Sequence, residues 1–269
     1  MKVHEFGTGH AETFAMFPCT AEPWRVFRKT AEAIAEQYHV FLFMPDGHDE
    51  SGTDFVSVEK TVEDAALWLK GKGIRRLDAM YGVSMGGACV LRFLAAQDIP
   101  AGKAVIDAGI TPYPYPSWIC RLIALRDFLF VFPAVKNLWL MKKLMPPERW
   151  TPEGEDPETH YRKIFEFEKK HYSAKTIYNV FRSANNYAMP DPAPHLDTRI
   201  EYWYGEGEKK ARKNNLAYVR GAFPQTVPRE FKGLSHAELV LMHPERFRGE
   251  IMRFLRNGEQ GNESFGERP

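Results

Sequence analysis

The five residues Gly82 to Gly86, with the sequence GVSMG, constrain this chain more than any other feature. They follow the apolar segment Arg76 to Tyr81, which resembles a buried strand, and they open the helical pattern of Ser84 to Gln97. A serine at a sharp turn between a strand and a helix needs a glycine two residues before it and another two residues after it, because a side chain at either position would clash. The pattern therefore predicts a strained turn that presents the hydroxyl of Ser84.

The rest of the chain alternates between strand-like and helix-like periodicity. Such alternation is typical of a mostly parallel sheet with helices on both faces, so we expect an α/β fold. The predicted strands are Glu12 to Phe17, Val40 to Met44, Arg76 to Tyr81, Lys103 to Asp107, Arg199 to Tyr204 and Thr226 to Phe231. The predicted helices are Trp24 to Tyr38, Val58 to Lys70, Ser84 to Gln97, Lys210 to Arg220 and Pro244 to Arg256.

A segment of different character interrupts this alternation. It begins with the proline-rich TPYPYP at Thr111 and has two helical patterns, Trp118 to Leu144 and Tyr161 to Phe181. The sequence therefore predicts a core from residues 1–110 and 197–258, an inserted helical cap over residues 111–196, and a flexible tail over residues 259–269.

Composition excludes several classes of protein. The 36 basic and 35 acidic residues leave a net charge of +1, which offers no overall basic field for nucleic acid. Cys19, Cys89 and Cys120 have neither metal-ligand spacing nor an even count, so we expect reduced thiols in a cytoplasmic protein. The apolar run Phe128 to Val135 is too short to span a membrane.

A serine nucleophile needs a base, and His236 is the best placed of the nine histidines. It lies in a loop between the last predicted strand and the last predicted helix, at the sheet edge where Ser84 is expected. His243 is the rival, but it directly precedes Pro244 and more simply ends that loop.

Three carboxylates are candidates for the group that orients this base. Glu208 and Glu206 follow the strand Arg199 to Tyr204, and Asp107 ends the strand after the nucleophile helix. All three fit the order of serine, acid and histidine along the chain. Glu208 precedes His236 by 28 residues, enough for one helix and one strand to bring them together, so we favour Glu208, with Asp107 as the alternative and Glu206 as a third candidate.

Taken together, these segments resemble the α/β-hydrolase superfamily. The resemblance rests on GVSMGG at Gly82, MFPCTAEPW at Met16, FMPDGHDES at Phe43, YGEGE at Tyr204 and SHAELVLMHPERF at Ser235. It implies Ser84 as nucleophile, His236 as base, Glu208 as acid and an inserted lid. It also implies an oxyanion hole formed by the N–H of Met85 and of a residue in the turn Pro18-Cys19-Thr20, for which we expect Thr20.

The chain departs from the family pattern at three places. Pro18-Cys19 stands where the family often has His-Gly, the acid is Glu where Asp is commoner, and few residues precede the first core strand, so the opening antiparallel strands are expected to be truncated.

The resulting hypothesis is a serine esterase or lipase-like hydrolase acting on a small, fairly apolar ester, with no cofactor and no metal. His48-Asp49-Glu50 could be read as metal ligands, but adjacent residues rarely converge on one ion. The apolar cap allows a transient contact with lipid. The alternatives are an acyltransferase or thioesterase that uses the same site, or a non-catalytic binder of small molecules on the same fold.

Overall fold

The computed structural model describes residues 1–20, 23–152, 154–191 and 196–256. In this part of the chain the strands form one seven-stranded sheet in the order β1-β3-β2-β4-β5-β6-β7. Strand β1 is antiparallel to β3, and the other described neighbours are parallel. The strands are β1 (Lys2–Phe6), β2 (Thr13–Phe17), β3 (His39–Met44), β4 (Leu77–Val83), β5 (Ala101–Asp107), β6 (Arg199–Gly205) and β7 (Val227–Phe231). The predicted α/β class with a mostly parallel sheet is confirmed.

Helices cover both faces of this sheet. The helices are α1 (Arg28–Ile34), α2 (Val58–Gly71), α3 (Met85–Ala96), α4 (Ser117–Lys136), α5 (Leu138–Leu144), α6 (Pro157–His171), α7 (Ala174–Ala184), α8 (Lys209–Ala222), α9 (Glu238–Met242) and α10 (Pro244–Arg256). Helices α2, α3 and α8 share one apolar core with the sheet, and α1, α9 and α10 share the other.

Successive residues of the inner strands enter opposite cores. In β2, Phe14 and Met16 belong to the core beneath α1 and α10, whereas Ala15 and Phe17 belong to the core beneath α2 and α3. Both sets are almost fully buried. A parallel strand covered on both faces must be apolar at every position, which explains the uninterrupted apolar runs in the sequence.

The N-terminal part differs from the sequence prediction in two respects. Strand β1 was not predicted, because its residues KVHEF are mostly half-buried and carry polar side chains. The single helix predicted over Trp24 to Tyr38 is wrong. The chain forms a 3₁₀ turn at Trp24–Val26 and then the short helix α1, which ends at Ile34 so that the chain can turn into β3.

The segment between β5 and β6 contains helices α4 to α7. Each of the two helical patterns predicted here as one run consists of two helices, divided by a polar residue that caps the second. The side chain of Asn137 accepts hydrogen bonds from the N–H groups of Trp139 and Leu140 at the start of α5. Ser173 accepts one from Thr176 at the start of α7. Such caps favour a new helix start over continuation of the old helix.

Side chains of α7 tie this segment to the loop before α2. The Val58 N–H donates to Ser183 Oγ at 2.8 Å, and Asn179 Nδ2 donates to the carbonyl of Phe55 at 2.8 Å. Residues 192–195 of the predicted cap and the predicted tail lie outside the described residues, so the cap and tail boundaries stay predictions.

Of the described helices, none combines the length and the apolar character needed to cross a membrane.

The turn between β4 and α3 is packed so closely that only glycine fits at its flanks. A Cβ atom on Gly86 would lie 2.1 Å from the carbonyl oxygen of Phe17, and one on Gly82 would lie 2.2 Å from the carbonyl oxygen of Gly86. Contacts this short are far inside van der Waals distance. The start of α3 is therefore pressed against the end of β2 and the loop that follows it.

We expect Gly86→Ala to lower the free energy of unfolding by about 1–3 kcal/mol, because neither the helix nor the β2 backbone can yield without strain. Urea denaturation monitored by circular dichroism measures the change. Gly71→Ala is the matched control, since a Cβ there would meet no atom within 4 Å. Equal stability losses in the two variants would contradict this account of the turn.

Candidate active site

Ser84 lies at the turn between β4 and α3 with a strained backbone. Its φ of 57° and ψ of −114° are unusual for a residue with a side chain. The N–H of Ser84 donates to the carbonyl of Asp107 at 2.8 Å, which ties the turn to the end of β5. The side chain projects to the carboxyl edge of the sheet, where its Oγ lies 2.9 Å from Nε2 of His236.

His236 reaches Ser84 from the loop between β7 and α9. Its other ring nitrogen, Nδ1, lies 2.8 Å from Oε2 of Glu208. The next residue, Ala237, has a φ of 58°, so the backbone is also strained here. With Nδ1 protonated and donating to the carboxylate, Nε2 is free to accept a proton from the serine hydroxyl.

Glu208 is held in place by more than the histidine. Its Oε1 accepts a hydrogen bond from the N–H of Gly205 at 3.3 Å, and its Oε2 accepts one from Arg212 Nε at 2.8 Å. Burial alone would raise the pKa of this carboxyl, but His236 and Arg212 together hold the pKa below its ordinary value. Glu208 is therefore ionised at neutral pH although it is only 8% exposed.

The other candidates occupy different positions. Asp107 Oδ2 accepts a hydrogen bond from the hydroxyl of Tyr81 at 2.6 Å, and burial raises the pKa of Asp107 to about 6. Glu206 accepts from the N–H of Gly233 at 3.0 Å. His243 follows α9 directly and precedes α10. Thus the structure brings Glu208, rather than Asp107 or Glu206, into hydrogen-bond contact with His236.

Both predicted oxyanion donors border the same space as Ser84. Met85 is the first residue of α3, where backbone N–H groups have no carbonyl partner within the helix. Thr20 lies in the loop after β2, and its hydroxyl contacts Nε2 of His48 at 2.8 Å. Cys19, the residue before it, also lines the cavity.

Each residue of the segment His48-Asp49-Glu50 has its own protein contact. Asp49 Oδ1 accepts from the hydroxyl of Ser51 at 2.6 Å, and Glu50 Oε1 accepts from Arg25 at 2.6 Å. Across the described ranges, no group of three or more potential ligands has the arrangement needed to hold a metal ion.

A cavity of about 850 Å³ opens beside Ser84. Residues of every helix between β5 and β6 contribute to its wall: Val131 of α4, Met141 of α5, Ile164 of α6 and Phe181 of α7. Polar side chains, among them Asp127, His160 and Glu168, also line it. The volume falls in the range of cavities that enclose small molecules.

An ion pair joins the segment between β5 and β6 to the histidine loop. Glu238, two residues after His236, accepts a hydrogen bond from the N–H of Ser235 at 2.7 Å. The same oxygen accepts from Arg149 Nη2 at 2.7 Å. Glu238 is buried, and its two partners link the histidine loop to Arg149.

Sequence reasoning missed Arg212, Arg149 and Glu238. Arg212 follows Glu208 by four residues, the spacing at which helical side chains of opposite charge meet, so this partner could have been found from the sequence. Arg149 lies 89 residues from Glu238, and no local pattern indicates that long-range pair.

Comparison with known proteins identifies the family to which this fold belongs. The model of the family described as "Alpha/beta hydrolase family" matches residues 3–250. The chain belongs to the alpha/beta hydrolase family. The resemblance inferred from the sequence is therefore confirmed. A search of curated protein sequences finds no significant match.

Solved structures share the fold of this alpha/beta hydrolase at low sequence identity. A putative alpha/beta hydrolase family protein from Desulfitobacterium hafniense is 19% identical with a TM-score of 0.70, over 95% of this chain and 100% of that one. The serine hydrolase CCSP0084 from Cycloclasticus zankles is 16% identical with a TM-score of 0.70, over 96% and 94%. A structure from a study of carboxylesterases of Nitrososphaera gargenis is 12% identical with a TM-score of 0.72, over 97% and 95%. At these identities the likeness shows a common fold.

Asp107 gives the alpha/beta hydrolase a pH-dependent stability. An unfolded aspartate titrates at about 3.9, below the native value of about 6, so the native state binds the proton more tightly. The stability that this protonated carboxyl contributes is fully present below about pH 4 and is lost as the pH rises through about 6.

As the pH rises from 4 to 7, we expect the free energy of unfolding of the wild type to fall by up to about 3 kcal/mol relative to that of Asp107→Asn. The reason is that asparagine has no proton to lose. Urea denaturation at a series of pH values measures the difference. Parallel stability profiles for the two proteins would show that Asp107 is not the buried titrating group.

Proposed function

We propose that this protein is a serine hydrolase that cleaves a carboxylic ester through an acyl-enzyme on Ser84. The observation that carries the proposal is the continuous set of contacts from Ser84 Oγ to His236 and from His236 to Glu208, at the wall of a cavity. Membership of the alpha/beta hydrolase family supports a hydrolytic activity. The combination of nucleophile, base and acid supports ester cleavage in particular.

In the first half of the reaction, Ser84 Oγ attacks the ester carbonyl carbon while His236 Nε2 takes the hydroxyl proton. The carbonyl oxygen becomes an oxyanion that accepts hydrogen bonds from the N–H groups of Met85 and Thr20, each worth about 3 kcal/mol in the transition state. Collapse of the tetrahedral intermediate breaks the bond to the alkoxy oxygen. The imidazolium of His236 gives its proton to that oxygen, and the alcohol leaves.

In the second half, water attacks the acyl-enzyme and His236 takes a proton from it. The second tetrahedral intermediate collapses, His236 returns the proton to Ser84 Oγ, and the carboxylic acid is released. Glu208 stays ionised throughout and stabilises the imidazolium. Arg212 supports this role, because it lowers the pKa of Glu208.

Helices α4 to α7 serve in this proposal as a lid that selects the substrate. Their apolar residues form much of the cavity wall, which favours an ester with an alkyl or aromatic group. We also place the protein in the cytoplasm. This assignment is supported by Cys89 and Cys120, which are buried cysteines outside any disulfide.

We expect Ser84→Ala and His236→Ala to reduce kcat for a p-nitrophenyl ester by at least about 10⁴-fold, because each removes a group that acts directly in bond making. A fluorophosphonate probe should label wild-type Ser84, identified by mass spectrometry of the modified peptide. Ser117→Ala, which removes an exposed serine, is the control and should keep full labelling and turnover. An unlabelled but folded wild type would favour a non-catalytic binder on the same fold.

Glu208→Gln should reduce kcat by roughly 10³-fold or more, since the amide stabilises neither the required tautomer nor the imidazolium. Asp107→Asn should change kcat by less than about tenfold, because its side chain binds Tyr81 instead. Steady-state kinetics of the two variants measure the contrast. A larger loss in Asp107→Asn would transfer the orienting role to Asp107.

Among p-nitrophenyl esters of increasing acyl length, we expect kcat/KM to rise from acetyl to medium-length chains, because the apolar wall gains contact with each added methylene, worth about 0.8 kcal/mol when fully buried. Equal kcat/KM values from acetyl to decanoyl would exclude an apolar acyl pocket. Parallel assays with thioesters, and with added alcohols as acceptors, distinguish hydrolysis of esters from thioesterase or acyltransferase activity.

A further inference from the structure

Helix α4 presents several of its large apolar side chains to solvent. Trp118, Leu122, Leu125 and Leu129, which we call the α4 stripe, are spaced by four, three and four residues and therefore lie on one face of the helix. Their exposed fractions are 63%, 58%, 43% and 62%. The buried residues of the same helix are Cys120, Ala124, Ala134 and Val135, which are smaller. Other apolar residues of α4, among them Phe128 and Phe132, pack against a neighbouring cluster. The stripe is therefore a second apolar face, more than a helix needs when its apolar residues serve only the core.

Basic residues border the α4 stripe. At 100° per residue, Arg121 and Arg126 fall on opposite sides of it, and both are exposed. Trp139 of the following helix α5 is 66% exposed, and the Nζ of Lys143 lies 5.2 Å from the centre of its ring. Residues 117–144 contain five basic residues and one acidic residue, a net charge of +4 in a chain whose total is +1. The exposed apolar surface thus lies on helices that carry a net positive charge.

We infer that the α4 stripe docks on the surface of a lipid bilayer that carries anionic headgroups. Tryptophan and leucine side chains would enter the boundary between headgroups and acyl chains, while Arg121 and Arg126 would contact phosphates. Each basic residue near an anionic bilayer strengthens binding by about fivefold. The helix lies in the plane of the interface, in keeping with the finding that none of the described helices can cross a membrane.

Charge favours a bilayer over a second copy of this chain. In a two-fold symmetric dimer built on the stripe, the same patch would face itself and bring the arginines of both copies together. Asp127 is the sole acidic residue of the segment and already binds Arg126 of its own chain at 2.7 Å. A surface of anionic phosphates supplies the opposite charge that a second copy lacks.

Docking would place one wall of the cavity at the bilayer. Asp127 and Val131 line the cavity from α4, and both lie on the side of the helix away from the stripe. The surface and the cavity are therefore separated by the thickness of one helix. The docking inference goes beyond the proposed reaction and does not depend on it.

Flotation with vesicles of phosphatidylcholine, with and without phosphatidylserine, tests the inference. The wild type should float with the mixed vesicles at low salt, bind pure phosphatidylcholine more weakly, and lose affinity as salt is added. Trp118 emission should shift to the blue on binding, and Trp118→Phe should reduce the shift. Ser84→Ala should float like the wild type, which separates this result from any failure of the proposed catalysis.

The double variant Leu122→Ser and Leu129→Ser should lower vesicle affinity by at least about tenfold. Leu67→Ser is the matched control, because Leu67 of α2 is 67% exposed but lies outside the stripe. Arg121→Gln with Arg126→Gln should remove most of the preference for phosphatidylserine.

Absence of wild-type flotation with the anionic vesicles would overturn the inference, and so would equal losses in the stripe and control variants. If the wild type does not bind vesicles but is a dimer in light scattering, and the stripe variant is a monomer, the surface would instead be assigned to a second copy.

Discussion

The close approach of α3 to the end of β2 is the constraint on which the site depends. With no side chain at Gly86, the first turn of α3 contacts the backbone of Phe17 and Pro18 directly. That contact places the Ser84 turn beside the loop that contains Thr20. The proposed nucleophile and the proposed oxyanion donors are therefore positioned by backbone packing, which is more rigid than any arrangement of side chains on flexible loops.

A series of side-chain hydrogen bonds joins distant parts of the chain at the same edge of the sheet. Arg212 of α8 binds Glu208, Glu208 binds His236, and His236 binds Ser84. These residues follow β6, β7 and β4, whose carboxyl ends meet because the strands are parallel. Asp107 lies at the end of β5 in the same region, but its burial and its hydrogen bond to Tyr81 direct it to a different role, in which its protonation state affects stability.

The features of this architecture that could be predicted from the sequence are those that depend on residues close together in the chain. The glycines around Ser84 and the apolar runs of the inner strands are local signals, and they gave the fold class and the position of the nucleophile. The sequence favoured Glu208 but left Asp107 open as the alternative, because both follow or end neighbouring strands and only the direction of each side chain distinguishes them. The caps at Asn137 and Ser173 were local signals that the helix-like sequence on both sides of each cap obscured.

The pairing of Arg149 with Glu238 has a mechanical consequence. Glu238 stabilises the loop that presents His236 through a hydrogen bond, and Arg149 belongs to the segment between β5 and β6, whose helices line the cavity. If this segment moves and withdraws Arg149, the loop that presents His236 loses one of its contacts. The buried carboxylate of Glu238 then also loses its countercharge. A movement of this segment that widens the entrance to the cavity would therefore also act on the loop that aligns the imidazole.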